Sequence, residues 1–89
     1  MLFMVIERFQ RETLNVYRRV RDSGRSLPEG LTFVDSWMSA DLARCFQLME
    51  CDDVRLLQEW VVGWVDLTEF EIVPVTRGRD TAAQLAPLL

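Results

Sequence analysis

A chain of 89 residues with 49% hydrophobic content and a net charge of −4 has room for one small domain, residues 1–89, and too little interior to bury all of its apolar surface alone. The acidic balance, with a pI near 4.7, gives no basic footprint for phosphates, so no nucleic-acid partner is expected. Histidine is absent, which removes the usual general base, the commonest metal ligand and the usual haem ligand, and with them Ser–His and Cys–His nucleophile pairs; no metal or cofactor is expected.

Leu2 to Arg8 reads as a strand, with Leu2, Met4 and Ile6 on one face and Phe3, Val5 and Glu7 on the other. Both rows are largely apolar, which predicts a central strand covered on both sides. The apolar run Leu2–Ile6 is far short of the ~20 residues of a membrane span. It follows no basic stretch and meets Glu7 at once, so it is not expected to be a signal peptide. No membrane partner is expected, and the location expected is cytoplasmic.

Thr13 to Ser23 reads as a helix with an apolar stripe of Val16, Tyr17 and Val20 and a stop at Gly24. "LPEG" at 27–30 is a turn, Pro28 presetting its φ and Gly30 tolerating a positive one. Leu31–Met38 is a second strand, "SADL" at 39–42 a hairpin loop and Ala43–Glu50 a third strand. Asp52 or Asp53 then caps a helix over Val54–Val65, whose inner stripe is Leu57, Trp60, Val61 and Trp64. Gly63 inside that helix costs ~1 kcal/mol relative to Ala, which implies a close neighbour. Phe70–Val75 is a fourth strand, placed at an edge by Pro74, which has no N–H for a ladder. The tail Asp80–Leu89 has weak helical character and is expected to fray or to dock on a partner. The order strand, helix, strand, strand, helix, strand is that of an α+β, ferredoxin-like βαββαβ fold: a four-stranded antiparallel sheet with two helices on one face.

Charge is uneven along the chain. Arg11, Arg18, Arg19, Arg21 and Arg25 cluster early, and Asp52, Asp53, Glu59, Asp66, Glu69 and Glu71 lie late. These are either solvated helix faces or two complementary sides of an interface. Cys45 and Cys51 are separated by about 20 Å of extended chain, too far for a disulfide, so both thiols are expected free. No His or Lys stands near Cys45 in the chain to activate it.

With helices on one side only, the other sheet face is open. Alternation puts Phe33, Asp35 and Trp37 together on the second strand, and Arg44, Phe46 and Leu48 together on the third. A four-residue "SADL" loop sets Trp37 against Arg44, Asp35 against Phe46, Ser36 against Cys45 and Val34 against Gln47. The drier, helix-covered face suits Leu2, Met4, Ile6, Val34, Met38, Cys45 and Met49. The open face is then expected to hold Phe3, Val5, Glu7, Phe33, Asp35, Trp37, Arg44 and Phe46, with Gln47 under the helices and in need of a partner. The opposite assignment, with Ser36 and Gln47 on the open face, is the alternative. Either way the open face is too apolar for water. A homodimer with sheet faces packed together is expected, and any cavity left between them would take a small hydrophobic ligand.

The stretches "MLFMVIERF", "LPEGLTFVDSW", "RCFQLME" and "EWVVGW…FEIVPV" resemble the bacterial family known as domain of unknown function 3303, over nearly the whole chain. More distantly the pattern is similar to the dimeric α/β-barrel superfamily, which includes cofactor-independent monooxygenases, small isomerases, haem-degrading enzymes and stress-response proteins. The resemblance implies a ferredoxin-like fold and sheet-to-sheet dimers. It carries over no catalytic residue, and the axial histidine usual in the haem-degrading branch has no counterpart here.

Two functions fit these residues. One is an accessory or small-molecule-binding homodimer, consistent with the lack of a nucleophile–base pair or phosphate-cradling loop. The other is a cofactor-independent monooxygenase- or isomerase-like enzyme acting on a small aromatic or hydrophobic compound. There Phe33, Trp37 and Phe46 would be walls, Asp35 or Glu7 the base and Arg44 the holder of an anionic oxygen. A hollow of roughly 300 Å³ or more with a carboxylate pointing in would favour the enzyme.

Overall fold

A computed structural model describes all of residues 1–89. Strand β1 (Leu2–Phe9) is followed by helix α1 (Thr13–Ser23), strands β2 (Thr32–Met38) and β3 (Arg44–Glu50), helix α2 (Arg55–Val62) and strand β4 (Thr68–Val75). Helix α3 (Gly78–Leu85) and a 3₁₀ turn (Ala86–Leu88) end the chain. The sheet order is β2-β3-β1-β4, with every pair antiparallel. This is the ferredoxin-like arrangement, with β1 central and the proline-bearing β4 at an edge.

Local signals act where the sequence puts them. Gly24 ends α1 at φ 68°, its N–H bonded to the Val20 carbonyl at 2.8 Å. Gly30 sits at φ 93°, where a Cβ would stand 3.0 Å from Leu56 Cδ1. No side chain caps α2 from Val54, but the Asp53 carboxylate accepts the Arg55 backbone N–H at 3.0 Å, which does the work of a cap. Helix α2 stops at Val62, so Gly63 follows the helix instead of interrupting it. A Cβ there would meet only Trp60 O at 3.5 Å, an ordinary contact. The neighbour expected to demand glycine is absent.

The core joins Phe3, Val5 and Met49 of the sheet to Val16 of α1, Leu57 and Trp60 of α2, and Trp64 just after it. The Trp60 and Phe70 rings meet edge to face at 5.6 Å, and the Trp60 indole N–H donates to the Arg25 carbonyl at 2.9 Å. Part of the early basic cluster meets the late acidic one inside the chain. Arg19 forms a two-pronged pair with Asp66, at 2.9 and 2.6 Å, and also lies over the Trp64 ring.

The sheet faces differ from the expected ones in two ways. First, β1 pairs with β3 so that odd residues oppose odd: Phe3 with Met49, Val5 with Gln47, Glu7 with Cys45. Phe3, Val5 and Glu7 therefore lie beneath the helices, at 4%, 0% and 5% exposure. Leu2, Met4 and Ile6 are on the open face beside Phe46 and Leu48. The other row shows why. It ends in Arg8 and Arg44, directly opposite one another; burying two like charges costs far more than burying one acid beside an amide. Second, β2 carries a bulge at Val34, between Phe33 and Asp35. The extra residue breaks alternation and sends Phe33 to the helix side, opposite Met49, with the Arg25 guanidinium 3.8 Å above its ring.

Asp35, Trp37, Arg44 and Phe46 do lie on the open face. Their register is shifted, Trp37 facing Phe46 and Asp35 facing Leu48. The connection is longer than "SADL": Ser39 N–H bonds to Arg44 O at 2.9 Å, and Leu42 turns through φ 63°. A two-residue slip leaves each side chain on its expected face, because the strand period is two.

Candidate functional site

The central strand places one carboxylate inside the protein. Glu7 comes last in the inward row of β1, and Gln47 sits diagonally across from it on β3. The Gln47 Nε2 amide donates to Glu7 Oε1, and both residues are buried. Removal from water raises the Glu7 carboxyl from its usual 4.5 to about 7; the Gln47 hydrogen bond and the Arg25 charge oppose the rise without cancelling it. The second amide atom of this pair, Gln47 Oε1, is buried and has no hydrogen-bond partner. An acceptor left unpaired in the interior costs about 1–3 kcal/mol.

These two residues form part of the wall of a cavity of about 120 Å³ between the sheet and the helices. Val16 and Val20 of α1, with Trp60 and Trp64, supply apolar walls, and Ser36 and Cys45 add small polar groups on the sheet side. Tyr17 is half exposed, and Arg25 lies between the bent residues Gly24 (φ 68°) and Ser26 (φ 57°). The Arg25 guanidinium rests on Phe33 and has no carboxylate partner. Burial, reinforced by the neighbouring Glu7 carboxylate, pushes the Cys45 thiol up to about 11, the reverse of what activates a cysteine. A wider groove of about 450 Å³ runs past Arg19, Ser26, Pro28 and Glu59; none of its polar side chains is buried.

The structure thus divides the residues that the sequence suggested as one site. Phe3 and Val5 are core, Glu7 lines the cavity and Phe33 carries Arg25 on the same side of the sheet. Asp35, Trp37, Arg44 and Phe46 are on the opposite face, and no Asp35–Arg44 ion pair forms. Asp35 accepts the Ser36 N–H at 2.8 Å, and Arg44 lies 5.3 Å from the centre of the Phe46 ring. Arg44 and Asp35 cannot act with Glu7 on one molecule. Arg25 and Gln47 are polar cavity residues absent from the expected site. Two signals were available: Gln47, expected under the helices and in need of a partner, and Arg25 between two residues that favour turns, Gly24 and Ser26. No group of three or more Cys, Asp or Glu is placed to hold a metal ion, and no helix is long and apolar enough to cross a membrane.

A family model described as "Domain of unknown function (DUF3303)" matches residues 1–89. No curated protein and no solved structure matches.

Proposed function

We propose a function from the chain's own site, because the chain belongs to the domain of unknown function (DUF3303) family, whose description carries no activity to inherit. It is a small homodimeric binding module whose cavity takes a compact, mostly apolar molecule bearing one N–H or O–H donor. The observation that carries this is the buried Glu7–Gln47 pair, its Gln47 Oε1 unpaired, in the wall of a cavity lined mainly by apolar side chains such as Val16, Val20, Trp60 and Trp64. A ligand donor would engage this polar pair while its body displaces water from apolar walls. The cavity, about 120 Å³, suits a body the size of one aromatic ring, since a dry cavity of ~150 Å³ holds benzene. Contacts of that size support a Kd of roughly 10 µM to 1 mM.

Phenols, small aromatic amides and anilines serve as probes, with thermal unfolding as the readout. A probe that fits raises Tm in the native protein and has no effect on Val20→Trp, which fills the cavity. Probes that never shift Tm, or that shift both proteins equally, overturn the assignment.

The dimer rests on the open sheet face, where Leu2, Met4, Ile6, Phe46 and Leu48 form an apolar centre and Trp37 is 50% exposed. Face-to-face packing of two copies would cover it, bringing Arg8 and Arg44, which have no ion-pair partner in the protomer, within reach of carboxylates of the second copy. The cytoplasm is the proposed location, in keeping with two free thiols.

An enzyme reading has one observation in its favour. Glu7, with a carboxyl near 7 inside a cavity, is poised as a general base at neutral pH, with Arg25 as the nearby cation. The cavity is well below the roughly 300 Å³ of a typical substrate site, so binding is the better-supported role.

A further inference from the structure

We infer that the C-terminal arm, residues 76–89, docks on a second copy of this chain, its leucines packing against the open sheet face of that copy. The inference rests on the homodimer proposed above and adds to it which segment completes the interface.

Every residue from 76 to 89 is exposed, including Leu85 at 45%, Leu88 at 78% and Leu89 at 103%. The arm does not fold onto its own body. The radius of gyration is 14.9 Å and the longest dimension 48 Å, whereas a compact chain of this length has a radius near 12 Å. Yet the arm is ordered into an eight-residue helix followed by a 3₁₀ turn. Helices shorter than about 12–15 residues are marginal in water without packing, and no side chain caps this one at Arg77. Packing would stabilise it, but in the protomer α1 and α2 occupy the helix side of the sheet and the arm does not turn back onto the open side.

The take-off is fixed. Only Thr76 and Arg77 separate β4 from α3. The Thr76 and Thr81 hydroxyls bond to each other at 2.5 Å, and the Arg77 carbonyl accepts the Asp80 and Thr81 N–H groups at 3.0 and 3.1 Å. This elbow carries the arm away from the edge strand instead of back across the sheet.

Two properties of the open face select a second copy as the occupant. The face offers about fifteen side chains, where a stable interface takes roughly 20–30 residues a side; the arm supplies the remainder. The charges are also complementary. The arm has Arg77 and Arg79 against Asp80, and the face has Asp35, Glu50, Glu69 and Glu71 against Arg8 and Arg44. In a two-fold dimer the exchange is reciprocal, so each copy contributes one arm and receives one.

The test uses the full chain and its Leu85→Asp/Leu88→Asp variant, compared by sedimentation equilibrium and amide hydrogen exchange from low to high micromolar protein. Both leucines are exposed in the protomer, so the body keeps its fold, which circular dichroism verifies. The native chain should dimerise, with amides 79–85 protected only where dimer is populated, and the variant's dimer Kd should rise by about tenfold or more. A native dimer whose Kd the variant leaves unchanged overturns the arm and leaves the homodimer standing. Arm amides protected equally in samples that sedimentation shows to be monomer and dimer overturn it too, by showing the arm folded on its own body. A native chain that stays monomeric throughout overturns both.

Discussion

Glu7 on β1 and Gln47 on β3 meet beneath the helices, the amide donating to a carboxyl group held near neutrality by its burial. Because folding raises this pKa from 4.5 to about 7, the folded chain binds more protons than the unfolded one between those values. Stability is therefore fully present below about pH 4.5 as far as Glu7 is concerned, and falls as pH rises through about 7. The loss should be on the order of 2–3 kcal/mol. Urea unfolding from pH 5 to 8 should show this decline in the native chain and a nearly flat profile in Glu7→Gln. A native profile that rises over the same range contradicts the neutral-acid assignment.

Cys45 should be a slow thiol. With its pKa pushed up to about 11 by burial and by the facing Glu7 charge, alkylation at pH 8 should be about a hundredfold slower than in urea-unfolded chain. In Glu7→Gln, where the second cause is gone, the native rate should increase. Peptide-resolved mass spectrometry of iodoacetamide labelling reads both effects separately from Cys51.

Gly30→Ala should destabilise the fold by about 1–3 kcal/mol, for two reasons that add. The new residue inherits φ 93°, a conformation that L side chains rarely adopt, and its Cβ presses on Leu56 Cδ1. A lower urea midpoint with an unchanged m-value is the expected result.

Trp37→Glu should weaken the proposed homodimer by about 2 kcal/mol or more, since an unpaired carboxylate would replace a large exposed aromatic within the packed faces. Protomer stability should change little, because Trp37 is half exposed on edge strand β2. Sedimentation and urea unfolding, measured together, separate the two effects.

Much of the fold is written locally. Helix α1 ends where Gly24 says it must, Pro74 marks an edge strand, and the run from Leu2 to Phe9 is largely apolar on both rows because β1 is central. The candidate site was only half legible. Glu7 stood out as a carboxylate in an apolar strand. Its placement on the open face, away from the helices, agrees with a sound local rule, that a charge avoids the interior unless paired. The rule gave way because the partner, Gln47, lies forty residues further along the chain, and because the acid can remain protonated.

Element order, strand alternation and the excess of apolar surface were thus properties of the chain itself, since propensity and periodicity act over a few neighbouring residues. Which row of β1 met the helices was decided only by the β1–β3 register, and the side taken by Phe33 only by the bulge at Val34. Both depend on pairing between distant segments. A single-residue change in such pairing exchanges the two faces of a strand while leaving its sequence pattern untouched.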